Sequence, residues 1–321
     1  MTTQAFGTAR PASPERLALV IPTLDAGPYL DRMIPALQAQ TLFPSRFLVV
    51  DSGSRDGTVE RFRAAGARVH AIGPEEFDHG ATRQMAVEML PGADIIIFLT
   101  QDAIPAHGEA LARLVAAFSD ARAGLAYGRQ LPAPGATPIA AHARLFNYPD
   151  TGFVRSMADA QRYGIKTVFC SNSFAAYRRK ALLEAGGFPE HTILSEDMLA
   201  AIAMLRKGWT LHYVADARTY HSHNYTVAQE FRRYFDIGVL HSTSPRLLGP
   251  FLHTRSEGLR FVRSELGYLL RRAPHLIPLA LARTVSKYCG YRLGWLARFL
   301  PNEINQWFSL NRQYWTKRGA T

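Results

Sequence analysis

The sequence predicts an α/β protein in which a mainly parallel sheet is flanked by helices and followed by a C-terminal helical extension. Three observations indicate this class. Continuous apolar runs alternate with amphipathic segments from residue 17 onward, as expected for parallel strands buried on both faces. Polar clusters directly follow three of these runs. Beyond Thr226 the apolar residues recur at helical spacing.

The first half of the chain supplies four apolar runs, at 17–21, 47–50, 68–72 and 94–99. Segments with helical spacing begin between them, near residues 29, 59 and 80. The run at 94–99 is the strongest strand signal, because a continuous series of β-branched residues favours a buried strand.

Regularity falls in the second half of the chain. We predict a helix that Ser195 opens and Gly208 ends, together with a helix at 107–118 and strands at 124–127, 168–177 and 209–214. Residues 130–166 are rich in Pro, Ala and Gly and resemble a long connection, which is usually functional or disordered. The chain thus divides into a flexible tail at 1–15, a domain at 16–225 with an internal boundary near 103, and a basic amphipathic helical extension at 226–321.

Composition narrows the class of protein. The 321 residues are 47% hydrophobic and 20% charged, which fits a soluble globular chain. The two cysteines, Cys170 and Cys289, imply no disulfide framework and favour a reducing compartment. The N-terminus lacks the apolar stretch of a signal peptide, and no apolar run reaches the roughly 18 residues of a membrane span. We therefore expect a cytoplasmic protein that does not cross a membrane.

The net charge of +11 suits an anionic partner, such as a nucleotide, a nucleic acid or an acidic membrane face. Basic residues are dense in the extension: Arg232, Arg233, Arg255, Arg260, Arg263, Arg271, Arg272, Lys317 and Arg318. Either a solvated helical face or contact with an anionic membrane surface explains this density. The chain carries no RNA- or DNA-binding signature, so we do not expect nucleic acid as its partner.

Polar side chains follow three of the predicted strands, at the point where each strand ends. They are Pro22-Thr23 to Asp25, Asp51 to Asp56, and Gln101-Asp102. Ligands of parallel sheets bind beyond the carboxyl ends of the strands, so we expect these clusters to converge on one crevice. Asp51, with the turn residues Ser52 and Gly53, is expected to contact a ligand, whereas Asp56 is expected to cap a helix.

The segment Phe77-Asp-His-Gly-Ala-Thr-Arg83 leads directly into a helix. His79, Gly80 and the first helical N–H groups can approach a phosphate there, with Arg83 adding a cation. The alternative is that Asp78 or Thr82 caps the helix and that Arg83 is merely exposed.

Asp102 follows the strongest apolar strand, where a carboxylate is costly unless it is solvated, paired or bound to metal. A hard divalent cation between Asp102 and a diphosphate explains its presence, and a helix cap is the alternative. His221 and His223 are predicted on one strand face and can complete the metal shell or contact phosphate. Their spacing also permits zinc, but no third soft ligand is evident nearby.

Two acidic residues, Glu196 and Asp197, begin a helix, where the helix dipole favours negative charge in any case. If the protein is a transferase, a carboxylate must accept the proton of the attacking hydroxyl group. Asp197 is the preferred candidate for this base, and Glu196 is the second.

The ordered motifs resemble glycosyltransferase family 2. The matching pieces are Val20-Ile-Pro-Thr23, Val49-Val-Asp-Ser-Gly-Ser54 with Asp56-Gly-Thr58, Gln101-Asp102-Ala103 and Ser195-Glu-Asp197. The resemblance covers roughly residues 17–225. It implies a GT-A fold with a Rossmann-like, mixed but mainly parallel sheet, with a nucleotide-sugar half at about 16–103 and an acceptor half at about 104–225.

The segments Phe77-Asp-His-Gly-Ala-Thr-Arg83, Leu99-Thr-Gln-Asp-Ala103 and Phe169-Cys-Ser-Asn-Ser-Phe174 look like the rhamnosyltransferase branch that builds bacterial surface polysaccharides such as O-antigen. This resemblance implies inverting transfer from dTDP-L-rhamnose to a saccharide or a polyprenyl-diphosphate-linked acceptor at the inner face of the cell membrane. It implies that Asp51 reads the base, that Asp102 binds Mg²⁺ or Mn²⁺, and that Asp197 is the catalytic base.

The residues expected to bind the donor are Pro22, Thr23, Asp25, Asp51, Ser52, Gly53, His79, Gly80, Arg83, Gln101 and Asp102. The residues expected to bind metal are Asp102, His221 and His223. Those expected to contact the acceptor are Ser171, Asn172 and Trp209.

The chain departs from the family in two ways. The usual Asp-X-Asp metal motif is Gln101-Asp102-Ala103, which leaves one carboxylate, and the Gln-X-X-Arg-Trp motif of processive synthases is absent after Asp197. A UDP-hexose donor, or a non-catalytic nucleotide- or nucleic-acid-binding protein, stays as an alternative. The sequence does not determine the oligomeric state.

Overall fold

The computed structural model describes residues 13–252 and 256–318, without the side chains of Pro14, Ser256, Lys317 and Arg318. The predicted flexible tail therefore lies largely outside the described residues, as does Arg255. A short 3₁₀ turn, Pro14–Arg16, leads into the first strand.

Nine strands form one mixed sheet. They are β1 (Leu17–Thr23), β2 (Arg46–Asp51), β3 (Arg68–Ala71), β4 (Ile95–Leu99), β5 (Ile104–Pro105), β6 (Ala123–Leu131), β7 (Phe153–Arg155), β8 (Phe174–Arg178) and β9 (Thr210–Tyr220). The order is β3-β2-β1-β4-β8-β6-β9-β5, and β7 pairs with β9. Strands β3, β2, β1 and β4 are mutually parallel, β8 is antiparallel to both neighbours, and β6 and β9 are again parallel. The predicted mixed, mainly parallel sheet is confirmed.

Helices flank the sheet and continue beyond it. Those of the sheet region are α1 (Gly27–Gln38), α2 (Thr58–Ala64), α3 (His79–Glu88), α4 (Ala110–Ala116), α5 (Pro138–Asn147), α6 (Ala160–Tyr163), α7 (Arg179–Glu184) and α8 (Glu196–Arg206). The later ones are α9 (Val227–Thr243), α10 (Pro245–Leu248), α11 (Ser256–Arg272), α12 (Ile277–Trp295), α13 (Asn302–Phe308) and α14 (Arg312–Arg318).

Successive residues of β1 belong to the cores on opposite faces of the sheet. Leu17, Leu19 and Ile21 pack in one core, whereas Ala18 and Val20 pack in the other. Side chains alternate along a strand, so a strand covered on both faces must be apolar at every position. This requirement explains the continuous apolar runs in the sequence.

The structure corrects three predictions of secondary structure. The segment 130–166 is not a structureless connection, because it contains α5, β7 and α6. The predicted strand at 168–177 begins only at Phe174, and the residues before it form a loop. Strand β9 extends to Tyr220, so His221 and His223 follow the strand rather than sharing one of its faces.

The C-terminal helices pack into the same core as the sheet. Phe235 and Val239 of α9 are fully buried in the core on one face of the sheet. Helix α12 approaches α9 through glycines: a Cβ atom on Gly290 or Gly294 would lie 2.3 Å from the Phe231 carbonyl oxygen or 2.1 Å from that of Phe235, respectively. Among the described residues, no helix combines the length and apolarity that crossing a membrane requires.

Candidate functional site

A cavity of about 250 Å³ lies at the carboxyl ends of the first strands. Six of the residues predicted to bind the donor line it: Pro22, Thr23, Ser52, His79, Arg83 and Gln101. The structure thus brings together side chains from the loops after β1, β2 and β4 with the start of α3, as the strand-end rule predicts.

Asp51 does not line this cavity, although its neighbours Thr23 and Ser52 do, and it is only 3% exposed. One of its oxygens accepts hydrogen bonds from the Thr23 and Ser54 hydroxyl groups. The other accepts from the N–H groups of Gly53 and Ser54, each at 3.0 Å. The carboxylate therefore fixes the shape of the loop that follows β2. Asp56 accepts from the N–H of Thr58, the first residue of α2, but Gly57 rather than Asp56 occupies the N-cap position of this helix.

Gln101 occupies the position of the first acid of the family's metal motif. Its side-chain oxygen accepts from the Leu24 N–H at 2.8 Å, and its amide nitrogen donates to the Leu24 carbonyl at 2.9 Å. An amide satisfies both groups, whereas a carboxylate has no donor for the carbonyl. Gln101 thereby ties the loop after β4 to the loop after β1. Beside it, Asp25 has a left-handed backbone (φ 48°) and accepts from the Arg55 N–H.

The start of α3 combines both interpretations of its sequence. Asp78 caps the helix by accepting from the N–H groups of Gly80 and Ala81, so these two amides are already engaged. Gly80 serves close packing, since a Cβ atom there would lie 1.8 Å from the Pro189 carbonyl oxygen. The alternative of an exposed Arg83 is wrong, because Arg83 is 5% exposed.

Arg83 forms a buried ion pair with Glu196, the first residue of α8. Its Nη1 atom lies 3.0 Å from Oε1 of Glu196, which also accepts from the Asn172 side-chain amide at 3.0 Å. Burial acts to raise the pKa of Glu196, but the charge of Arg83, aided by His79 and the Asn172 bond, holds it below its ordinary value. Glu196 is therefore a charged partner of Arg83 at neutral pH.

The neighbouring carboxylate behaves differently. Burial, reinforced by the negative charge of Glu196, raises the pKa of Asp197 to about 7. Its two oxygens accept from the backbone N–H groups of Asn172 at 3.0 Å and Met198 at 2.7 Å. A carboxylate with a pKa near the working pH suits proton transfer. The two acids are thus distinguished by environment, and Asp197 is the one suited to act as a base.

Asp102, His221 and His223 lie together, with one ligand atom from each within 4.8 Å of the others. The Nε2 atom of His221 is 3.2 Å from Oδ2 of Asp102, and that of His223 is 3.8 Å from the same oxygen. The Thr100 hydroxyl donates to Oδ1 of Asp102 at 2.6 Å. Burial acts to raise the pKa of Asp102, but the contact with His221 and the hydrogen bond from Thr100 outweigh it and hold the pKa below its ordinary value.

Gln130, at the end of β6, orients His221. The Nδ1 atom of His221 is 2.9 Å from Oε1 of Gln130, an oxygen that also accepts from Arg144. Nδ1 must therefore carry the hydrogen, and in neutral His221 the lone pair of Nε2 faces the Asp102 carboxylate. Two acceptors facing each other at 3.2 Å require a proton or a cation between them. This donor set fits a divalent metal ion.

A second cavity of about 490 Å³ adjoins the first and shares His79, Arg83 and Thr100 with it. Asp197, His221 and Ser171 line it. Asn172 also reaches it, but the Asn172 backbone and side-chain N–H groups are engaged in holding Asp197 and Glu196. The prediction that Trp209 contacts the acceptor is not supported: Trp209 precedes β9, at the opposite end of the strand from His221, and packs against Gly124.

The sequence did not identify several residues around these cavities. Gln130 and Arg144 lie in the stretch that seemed irregular, although a polar residue at the end of β6 follows the same strand-end rule as the others. Gln313 of α14 lines the smaller cavity and donates to the carbonyl groups of Pro74 and Glu75 at 2.9 and 3.1 Å. A local sequence pattern cannot predict a contact between positions so distant in sequence.

A family model described as glycosyl transferase family 2 matches residues 18–186, more than half of the chain. The chain belongs to glycosyltransferase family 2. The resemblance stated from the motifs is confirmed, and the protein is a glycosyltransferase.

Two relatives cover nearly the whole of this glycosyltransferase. The O-antigen chain rhamnosyltransferase RfbN of Salmonella typhimurium is 46% identical over 94% of this chain and 96% of its own length. The O-antigen chain rhamnosyltransferase WbaN of Salmonella anatum is 44% identical over 92% of this chain and 95% of its own length. These relatives support the rhamnosyltransferase branch of the family.

Among solved structures, this glycosyltransferase is similar to the mannosyltransferase PcManGT from Pyrobaculum calidifontis, in complex with GDP-Man and Mn²⁺. The TM-score is 0.54 at 16% identity, over 99% of this chain and 90% of the other. At that identity the likeness concerns the fold. The expected GT-A architecture is confirmed.

Proposed function

We propose that this enzyme transfers L-rhamnose from dTDP-L-rhamnose to a hydroxyl group of a saccharide or polyprenyl-diphosphate-linked acceptor in the synthesis of O-antigen. The observation that carries this proposal is the 46% identity to RfbN over 94% of the chain. The alternative is a transferase with a UDP-hexose donor.

In the proposed reaction Asp197 takes the proton of the acceptor hydroxyl. The hydroxyl oxygen attacks the anomeric carbon from the face opposite the diphosphate, and the bond to the diphosphate breaks, so the configuration at that carbon inverts. A pKa of about 7 supports this role, because Asp197 is then half ionised near neutral pH and is still basic enough to draw a proton. Glu196 stays paired with Arg83 and orients the start of α8.

The two cavities suggest where each part of the donor lies. We assign the nucleoside to the smaller cavity and the sugar to the larger one, with the diphosphate between them. His79, Arg83 and Thr100 line both cavities, so these side chains would contact the diphosphate. Arg83 supplies a cation that offsets the charge on the leaving group.

Asp102, His221 and His223 would hold a divalent cation beside this position. Two imidazole nitrogens and one carboxylate suit Mn²⁺ better than Mg²⁺, which prefers oxygen ligands. When bound, such an ion neutralises charge that develops on the diphosphate.

We further propose that the enzyme works at the cytoplasmic surface of the cell membrane. The last helices and the turn between α12 and α13 expose large aromatic side chains: Tyr288 is 62% exposed, Phe299 69% and Trp307 63%. Arg298 lies 4.6 Å from the centre of the Phe299 ring. Aromatic rings beside basic groups suit the interface between lipid headgroups and water.

Co-sedimentation with vesicles tests the membrane proposal. Wild-type protein should pellet with vesicles containing phosphatidylglycerol, and a Phe299→Ser, Trp307→Ser variant should stay in the supernatant. Val154→Ser, which removes a 49% exposed side chain from β7, is the matched control. Equal pelleting of the double variant and the control would refute this surface.

Donor use tests the proposed reaction. Release of dTDP from dTDP-L-rhamnose should exceed release of UDP from UDP-glucose, UDP-galactose and UDP-N-acetylglucosamine, and dTDP should raise the melting temperature more than UDP. Asp197→Asn should bind dTDP with unchanged affinity but lose turnover by about 10²- to 10⁴-fold. A clear preference for UDP would replace rhamnose by another sugar, and wild-type turnover in Asp197→Asn would refute the mechanism.

A further inference from the structure

Helices α11 and α12 each bury a charged side chain on a face that is otherwise apolar. On α11, Glu265 is 2% exposed and Leu269 is fully buried, whereas the arginines of this helix are exposed. On α12, Arg283 is 7% exposed and Ala280 is 1% exposed. The inward side of an amphipathic helix is normally apolar. The two buried charges therefore need an explanation beyond folding.

These charges line the larger cavity, opposite the proposed base. Glu265, Arg283, Glu230 of α9 and Lys287 of α12 all border the cavity that Asp197 reaches. Lys287 lies 3.4 Å from Glu230, and Arg283 donates to the Tyr225 carbonyl. The C-terminal helices thus form a charged wall of the active site, which we call the helical wall: Glu230, Glu265, Arg283 and Lys287.

Two polar atoms of the helical wall lack a hydrogen-bond partner among the described residues. Within the described part of the chain, neither Oε1 of Glu265 nor Nε of Arg283 has a hydrogen-bond partner. Buried polar atoms are nearly always paired, because an unpaired one loses its hydration without compensation. A glutamate that is 2% exposed, unpaired at one oxygen and on the border of a cavity is a group available to a ligand.

The composition of the wall identifies the class of ligand. The four wall residues, two carboxylates and two cations, carry no net charge, and Arg233 of α9 adds one cation to the lining of the same cavity. The wall itself therefore holds no excess of positive charge for an anion such as a diphosphate. Its four residues do provide donors and acceptors in equal measure, which suits the hydroxyl groups of a neutral sugar. The rings of Tyr234 and Phe261 line the same cavity and offer apolar faces.

We propose that the helical wall binds the saccharide portion of the acceptor and aligns its hydroxyl group with Asp197. This inference rests on the proposed function, because it assigns a substrate to the same active site. Glu265 accepts from a sugar hydroxyl, while Arg283 and Lys287 donate to sugar oxygens. None of the four wall residues lines the smaller cavity, to which the nucleoside is assigned.

Saturation-transfer NMR on the full chain with Mn²⁺-free dTDP bound tests the wall directly. The probes are the methyl glycosides of galactose, glucose, mannose, rhamnose and N-acetylglucosamine at millimolar concentration. At least one should give a signal with wild-type protein, and Glu265→Gln and Arg283→Gln should each reduce it at least fivefold. Glu303→Gln and Arg263→Gln, which alter exposed residues of α13 and α11, should leave it unchanged.

A structural role predicts a different result. If Glu265 merely stabilised the fold, Glu265→Gln would lower the melting temperature, whereas a ligand-binding carboxylate leaves it unchanged or raises it. No glycoside signal with wild-type protein, an undiminished signal in both variants, or complete suppression of the signal by inorganic diphosphate would overturn the proposal. Failure of dTDP to bind would instead contradict the donor assignment, and the glycoside signals would still report on the wall.

Discussion

Nη1 of Arg83 lies 3.0 Å from Oε1 of Glu196, and the two side chains are only 5% and 8% exposed. This pair joins the start of α3, which borders the smaller cavity, to the start of α8, which carries Asp197. The pair also separates the pKa values of the two neighbouring acids. The negative charge that Arg83 stabilises on Glu196 helps to raise the pKa of Asp197.

Removal of Arg83 should therefore affect both stability and activity. Arg83→Met leaves Glu196 as an unpaired buried charge, which should lower the free energy of unfolding by about 3–5 kcal/mol. Urea denaturation of Arg83→Met, Glu196→Leu should recover most of that loss, while rhamnosyl transfer stays abolished in both variants. An equally unstable double variant would mean that the ion pair is not the source of the effect.

Activity and stability should respond to pH in opposite directions through Asp197. Its folded pKa of about 7 is above the ordinary value of about 4, so the folded protein holds a proton that the unfolded chain releases in this window. The contribution of Asp197 to stability is present below pH about 4 and is lost as the pH rises through about 7. The turnover rate, which needs the ionised base, should rise toward a plateau above pH about 7.

Comparison with Asp197→Asn isolates this residue from other titrating groups. The difference in unfolding free energy between wild type and Asp197→Asn should shift in favour of the variant between pH 4 and 7. It can be measured by urea titration at each pH. A pH-independent difference, or a turnover rate that is flat between pH 5 and 8, would contradict the raised pKa.

Gln130→Leu should weaken metal binding without touching a metal ligand. The variant removes the acceptor for Nδ1 of His221, so the ring is no longer held with Nε2 toward Asp102. Loss of such an outer partner costs about 10- to 100-fold in metal affinity. Electron paramagnetic resonance of free Mn²⁺, titrated with protein in the presence of dTDP, measures this affinity. Gln161→Leu, outside both cavities, should bind as wild type does.

Two glycine-to-alanine variants should distinguish the effect of close packing between helices on stability from the effect of helix propensity. Gly294→Ala places a Cβ atom 2.1 Å from the Phe235 carbonyl oxygen, so α12 must move away from α9 at a cost of about 1–3 kcal/mol. Gly267→Ala meets nothing within 4 Å and should stabilise α11 by up to about 1 kcal/mol. Thermal unfolding of both variants measures the contrast, and destabilisation by Gly267→Ala would argue against it.

The sequence predicted the sheet region well, because the signals there are local. Strands β1, β2 and β4 are apolar at nearly every position, and the residues that follow them face one crevice because parallel strands share an end. Asp102, His221 and His223 were predicted as one set, and they do lie together. The boundaries of β8 and β9 were less accurate, since short apolar runs do not mark where pairing stops.

The remaining parts of the site depend on contacts between residues far apart in the sequence, which a local sequence pattern cannot predict. Gln101 seemed a loss of a metal ligand, but its two hydrogen bonds to Leu24 require the neighbouring loop to be in place. Glu265 and Arg283 belong to helices that the sequence predicts only as a basic amphipathic extension. Both residues line a cavity together with residues from distant parts of the chain, and a local pattern does not contain that information.

The hydrogen bonds from Gln313 to Pro74 and Glu75 connect the end of the chain to the segment after β3. The ribosome releases the first strands long before it makes α14, so the smaller cavity of a nascent chain lacks one of its walls. This cavity is consequently completed only after α14 has been synthesised. A chain that stops before α14 retains the early motifs of the family but not the finished cavity.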